Sequence, residues 1–403
     1  MTREATVTVA PTLVPETGTA LYVHVPFCVA KCTYCDFYSL EAEGQDLPGT
    51  LDALLLEAER RAPLRPRTVF LGGGTPSYYS IDELERLLDG LERWSHFRSS
   101  ADEVTVECNP ESLDLAKARA LRALGVDRLS IGFQSLDARI LALFGRVHDA
   151  RASFAAFAAA RAAGFTRVSV DLIYGVPGQT LAAWESELDE ILRLRPDHVS
   201  AYQLTYEEGT PLTAQLRAGG FARLSEDEEL SFFEATHARL SAAGYEGYEV
   251  SNFALSGQQC LHNMNYWANG PYLGIGPSSV SKVAHTRFGN ARSLAPWRAA
   301  VGANRFPAAW EETPPPGVRL GETWWLGLRT RAGVDPADAC RRAGWHAPDP
   351  TLGTVVELEA QGFLRRTHGR VSLSPRGWPL ADAIARRLLA ACSADARPPG
   401  PRE

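Results

Sequence analysis

Two hydrophobic periods alternate along the first two hundred residues of the chain. Leu21, Val23 and Val25 set against Tyr22 and His24 predict a strand that stops at Pro26. Leucines at helical spacing over 48–62, with a proline near the start, predict a helix. A short apolar strand at 68–71 leads into Gly72, Gly73 and Gly74, and a second helix is expected at about 80–94. The pair of periods then repeats: strand 103–107 and helix 112–124, strand 127–132 and helices across 136–163, strand 166–172 and helix 179–193, then a sixth strand at 197–204. Such alternation implies an α/β fold with a parallel sheet and right-handed crossovers. Periodicity leaves open whether the sheet is doubly wound or a partial barrel.

Ligands of parallel sheets gather beyond the C-terminal ends of the strands. The chain puts its unusual residues there. Three cysteines follow the first strand and the glycine run follows the second; Glu107 ends the third, Gln134 lies just past the fourth, and Asp171 is near the end of the fifth. Five consecutive strands thus deliver polar or backbone-exposing groups to one rim.

At 403 residues, two or three domains are expected. A net charge of −7 argues against a surface built for nucleic acid. No run of 18 apolar residues suggests a membrane span, and residues 1–19 lack a signal pattern and read as a flexible leader. Seven cysteines, three of them within eight positions, fit metal ligation in a reducing cytoplasm better than disulfides.

Those three are Cys28, Cys32 and Cys35, in the spacing C-x3-C-x2-C. Soft thiolates this close suit zinc or an iron–sulfur cluster. Structural zinc wants four protein ligands, and no fourth cysteine is at hand. A cubane held by three cysteines leaves one iron open. A zinc knuckle completed by a distant histidine, or three unrelated buried thiols, are the alternatives from spacing alone.

The cysteine motif after a first strand, with Tyr34 before the last cysteine, resembles the radical S-adenosylmethionine (SAM) superfamily. The wording Tyr-Val-His-Val-Pro-Phe-Cys and Tyr-Cys-Asp-Phe is similar to its coproporphyrinogen-III-oxidase-like branch, and within it to the HemW-type heme chaperones. The resemblance implies a partial (β/α)6 barrel, a [4Fe-4S] cluster on the three cysteines, and SAM held by Tyr22, Gly73 and Glu107. Relatives in this branch can hold a second SAM, and the matching positions are Tyr34, Gly74, Thr75, Gln134, Arg146 and Asp171. Read without the resemblance, Arg146 is an exposed helix-end cation, Glu107 a strand-end cap, and Gln134 and Asp171 partners of buried backbone.

One departure decides the branch. The oxidase of the branch normally carries a fourth cysteine two positions after the third, where this chain has Phe37 following Asp36. That disfavours porphyrinogen oxidation and leans away from an enzyme; an oxygen-independent coproporphyrinogen III oxidase or dehydrogenase, or another radical SAM enzyme on a tetrapyrrole, is the alternative. The block His262-Asn263-x-x-Tyr266-Trp267 is similar to the segment of the heme chaperones in which a heme-ligating histidine is proposed. Cys260 is a second candidate ligand, and the bland reading is a histidine bonded within a loop beside core aromatics. The resemblance implies heme as cargo and heme-acceptor proteins, such as respiratory cytochromes, as partners, with an electron donor if SAM is cleaved. A homodimer and peripheral membrane contact stay open.

Residues 296–317, rich in Pro, Gly and Ala, read as a boundary, which divides the chain into a barrel over 20–245, an extension over 246–310 and a C-terminal domain over 311–395. Helices at about 319–330, after Asp335-Pro336 and at 351–361, a hairpin turning at 367–369 and a last helix at 376–392 look like a winged-helix module. Arginines in its wing raise a nucleic-acid-binding regulator as a competitor, and a solvated basic edge is the commoner meaning. Cys340 and Cys392 read as buried structural thiols, and Cys108 has no assigned role.

Overall fold

The computed structural model describes residues 18–62 and 64–394; the expected leader lies outside the described residues except for its last two positions. Six strands stand side by side in chain order: β1 (Ala20–Val25), β2 (Thr68–Gly73), β3 (Glu103–Cys108), β4 (Arg128–Gln134), β5 (Val168–Tyr174) and β6 (His198–Gln203). Each is parallel to the next. The crossovers carry the helices Leu47–Arg60, Ile81–Ser95, Leu115–Ala123, Ala150–Ala162 and Leu181–Leu194. Side-chain caps start them, among them a Ser80–Glu83 capping box and the carboxylates of Asp114 and Asp149.

The sheet continues past the six strands at both edges. Asn252–Ala254 pairs antiparallel with β6 and carries Glu246–Gly247 outside it. On the other side Tyr272–Ile275 runs parallel to β1, followed by antiparallel Val280–Val283, Thr286–Asn290 and Ala308–Glu312. The twelve strands end on Glu246–Gly247 and Ala308–Glu312 without meeting, an open arc in keeping with a partial barrel. These edge strands are two to five residues long, too short for a two-residue period to stand out. The expected boundary at 296–317 contains the end of the helix Leu294–Gly302 and the last sheet strand; its Pro-Gly-Ala composition marks turns between these elements.

The two faces of the strands differ. Val104, Val106, Leu129, Ile131, Val168, Val170 and Val199 are buried against the helices in one large core. The alternate positions, Tyr22, Thr105, Glu107, Ser130, Asp171 and Ser200, line a cavity on the concave side. Strand alternation here separates an apolar core from a polar cavity lining.

Beyond Pro315, the helices Pro316–Leu328, Pro336–Ala343 and Leu352–Ala360, the hairpin Leu364–Thr367 with Arg370–Leu373, and the helix Ala381–Ala394 close around a separate core that includes Trp324, Val355 and Leu388. The last helix starts later than expected, at Ala381, because Pro379 sits within a single 3-10 turn, Trp378–Leu380, that precedes it.

Candidate functional site

A cavity of about 580 Å³ opens at the C-terminal ends of β1–β6. Every residue singled out from the sequence as a cluster, SAM or heme ligand lines it.

The cysteine loop forms one wall. Phe27–Cys28 and Leu40–Glu41 pair in parallel and close the loop at its base. The glycine run is sewn to it: the Gly74 N–H donates to the Val25 carbonyl and the Thr75 N–H to the Phe27 carbonyl, each at 2.7 Å. A Cβ on Gly74 would stand 2.6 Å from the Phe27 oxygen, so only glycine permits this approach. Thr33 ties the far side of the loop to Phe144 and Leu143. Cys28, Cys32 and Cys35 are free thiols. Burial pushes Cys28 up, with the neighbouring Thr75 side chain opposing it, and pushes Cys35 up to about 11. A bound cationic centre would reverse this and expel the protons. Among the described residues no three His, Cys, Asp or Glu side chains are gathered for one metal ion.

Another part of the lining is acidic and buried. Gly73 has φ +105 and donates its N–H to Glu107 Oε2 at 3.3 Å. His24 packs where a Cβ of residue 73 would be, 2.6 Å from its ring. Burial lowers His24 to about 4, so the ring is neutral: Nε2–H donates to the Tyr38 carbonyl at 2.8 Å, and Nδ1 accepts from the Tyr22 hydroxyl at 3.1 Å. Glu107 is pushed up to about 8, first by burial and then by the nearby charge of Asp171. Asp171 is raised by burial too, although Ser130, Ser169 and Ser200 donate to it at 2.7, 3.0 and 2.6 Å. Two buried carboxylates that resist ionising together make a place for a cation.

Arg146 is not the exposed cation that its helix-end position suggested. It spans the cavity, donating to Cys32 Sγ at 3.4 Å, Asn109 Oδ1 at 2.8 Å and the Gly132 carbonyl at 2.9 Å. Asn109 in turn donates to the Thr75 hydroxyl at 3.0 Å. Gln134 takes φ +65 where the β4–β5 register slips, a strained position at the rim. Tyr34 packs edge-on to Phe144, with ring centres 4.7 Å apart.

His262 sits at the other end of the cavity, on the helix Leu261–Trp267. Glu103 caps that helix, accepting from the backbone N–H of Leu261 and His262 at 3.1 and 3.0 Å and from the Cys260 thiol at 3.3 Å. Arg128 and Arg167 pair with the same carboxylate. The His262 ring stacks on Phe70, with Nδ1 2.8 Å from the Thr68 hydroxyl and Nε2 3.2 Å from that of Tyr266. Both ring nitrogens are therefore engaged, and metal ligation would break one of these bonds. Burial and the neighbouring Glu103 push the Cys260 thiol far up.

Sequence reasoning missed His24, Glu103, Asn109 and the three serines around Asp171. The serines were findable: Ser130, Ser169 and Ser200 interrupt apolar strands at inward-facing positions.

The family profile of the Radical SAM superfamily matches residues 22–191, from within β1 to within the crossover helix after β5. The heme chaperone HemW of Mycobacterium tuberculosis (strain CDC 1551 / Oshkosh) is 36% identical over 394 residues, covering 94% of this chain and 97% of its own. The chain belongs to the HemW family of radical SAM proteins. A bovine relative, the mitochondrial radical S-adenosyl methionine domain-containing protein 1, is 35% identical over 397 residues, covering 92% of this chain and 87% of its own. The solved structure of coproporphyrinogen III oxidase (HemN) from Escherichia coli superposes with a TM-score of 0.80 over 94% of this chain and 91% of that one; at 23% identity the likeness is one of fold. Radical SAM membership implies a [4Fe-4S] cluster and SAM. The cavity of this HemW-family chain fits both, with free thiols and buried carboxylates in its lining.

Proposed function

We propose that the chain is a cytoplasmic heme chaperone that binds heme and passes it to acceptor proteins such as respiratory cytochromes. Cys28, Cys32 and Cys35 hold the [4Fe-4S] cluster. Glu107 and the Gly73 backbone take the ammonium of SAM, with Tyr22 near its cluster-bound end. Tyr34, Gly74, Thr75, Gln134, Arg146 and Asp171 form the place for a second SAM. When bound, the cluster and SAM supply one-electron reductive cleavage beside the sulfonium. The chain's own part is to present the thiols, keep Glu107 dry until a cation arrives, and hold Arg146 against Cys32. Among the described residues no helix is long and apolar enough to cross a membrane.

The observation that carries the reading is the Asp36-Phe37 pair after Cys35 in a chain related to HemW over nearly its whole length. Phe37, 67% exposed at the mouth of the cavity, stands where the oxidase pattern has its fourth cysteine. The test supplies anaerobic, reconstituted protein with hemin, and separately with coproporphyrinogen III, SAM and reductant. Saturable hemin binding followed by transfer to an apo-cytochrome, with no protoporphyrinogen formed, is expected. Protoporphyrinogen formation at catalytic turnover would replace the chaperone reading with the oxidase one.

A further inference from the structure

We propose that Glu187 is a positioning residue for the SAM cavity: from behind the sheet it holds the turn that aims Gln134 at the ligand. This rests on the reading above, in which Gln134 belongs to the place for a second SAM, and adds a residue that reading leaves out. Gln134 lines the cavity and Glu187 does not. Glu187 sits on the crossover helix Leu181–Leu194, whose Trp184, Leu188 and Ile191 are buried in the large core.

The turn needs holding. The Ser135 N–H donates to the Phe133 carbonyl at 2.8 Å, which closes a three-residue turn with Gln134 at its centre. Gln134 has φ +65 there, and a γ-turn whose central φ is positive is the rare, strained form. Such a backbone persists only where its neighbours over-determine it. Here they do so from two sides. Before the turn, the Arg146 guanidinium donates to the Gly132 carbonyl at 2.9 Å and His148 Nε2–H to the Phe133 carbonyl at 3.1 Å. After it, Glu187 Oε1 accepts from the Leu136 N–H at 2.6 Å, and Oε2 accepts from the Ser135 hydroxyl at 3.2 Å. Ser135 Oγ accepts in turn from the Asp137 N–H at 3.1 Å.

Glu187 serves this turn and little else. Both of its hydrogen bonds go to Ser135 and Leu136, and among the described residues it pairs with no cation. Burial raises it to about 7, with the charges of Asp137 and Glu190 adding to the rise. An apolar side chain would fill the same place at less cost; what the carboxyl adds is a fixed turn. That turn delivers an amide to the cavity. A Cβ on Gly132 would stand 2.8 Å from Gln134 Nε2, 3.3 Å from Asn109 Oδ1 and 3.6 Å from Arg146 Nη2, so the end of Gln134 lies over Gly132 beside both. A primary amide both gives and accepts hydrogen bonds, and its use to a ligand depends on where it is held.

The test is a double-mutant cycle on SAM affinity, with the full-length, cluster-loaded chain and SAM itself as probe, read by anaerobic calorimetry. Gln134→Ala and Glu187→Ala should each weaken one SAM site about tenfold, and the double variant should bind no more weakly than either single one. Glu187→Gln should recover most of the loss, since its amide oxygen still accepts from the Leu136 N–H and its nitrogen reaches Ser135. Losses that add in the double variant would mean that Glu187 serves the fold alone. Unchanged binding in Glu187→Ala beside weakened binding in Gln134→Ala would remove Glu187 from the site. Either result overturns the positioning role and leaves the second-SAM reading standing. Unchanged binding in Gln134→Ala would overturn that reading, and the positioning role with it. Iron content after reconstitution reports whether Glu187→Ala folds; if it does not, Ser135→Ala, which removes one of the two bonds, takes its place in the cycle and is judged by the same results.

Discussion

The guanidinium of Arg146 lies 3.4 Å from the sulfur of Cys32, reaching it from a loop more than a hundred residues away in the chain. The same side chain holds Asn109, which holds Thr75. The residue matched to a second SAM is thus also part of the cluster's surroundings.

Hydrogen bonds and positive charge at a ligand sulfur raise a cluster's reduction potential. Arg146→Met should therefore lower the midpoint potential by something on the order of tens of millivolts. Anaerobic potentiometry of the reconstituted protein checks this. A potential equal to that of wild type would mean that the contact with Cys32 does not persist once the cluster is in place.

Gly73→Ala combines two faults, a side chain at φ +105 and a Cβ 2.6 Å from the His24 ring. The neutral His24 bridges Tyr22 and the Tyr38 carbonyl, so displacing it disturbs the cysteine loop as well. We expect a loss of about 1–3 kcal/mol, measured by denaturant unfolding, together with weaker SAM binding by calorimetry.

Glu107 sets a pH dependence whose sign is fixed by its raised value of about 8. A carboxyl that holds its proton more tightly when folded supports the fold fully below the ordinary carboxylate range. That support is lost as pH rises toward about 8. In the SAM-free protein, wild type should lose stability relative to Glu107→Gln between about pH 5 and pH 8, by at most about 1.4 kcal/mol per unit. Thermal unfolding of both proteins across that range measures it; parallel curves would show that Glu107 is already ionised in the empty cavity.

Glu103 is buried beside Arg128 and Arg167 and caps the helix that carries His262. Glu103→Ala would leave the buried Arg128 cation without its carboxylate, at a cost of about 3–5 kcal/mol. The variant should unfold at markedly lower denaturant, and its helix Leu261–Trp267 should lose hydrogen-exchange protection first.

How far the sequence carried this account depended on range. β1–β6 and their crossover helices announce themselves within windows of ten residues, and C-x3-C-x2-C marks the cluster wall within eight. Arg146 shows the limit: nothing near it in sequence says that it meets Cys32, because the loop that carries it folds over the sheet. His262 shows another. Its neighbours Tyr266 and Trp267 look equally like a ligand's surroundings or a core, and only the Thr68 contact from β2, 194 positions away, reveals that its second nitrogen is taken.

The most direct test is the metal content of the anaerobically reconstituted chain, with EPR of the reduced form, for wild type and the cysteine variants. About four irons per chain, a reducible cubane signal, and loss of both in Cys28→Ala, Cys32→Ala and Cys35→Ala but not in Cys340→Ala or Cys392→Ala, are the expected results. Stoichiometric zinc, or a cluster that survives loss of Cys32, would contradict the account.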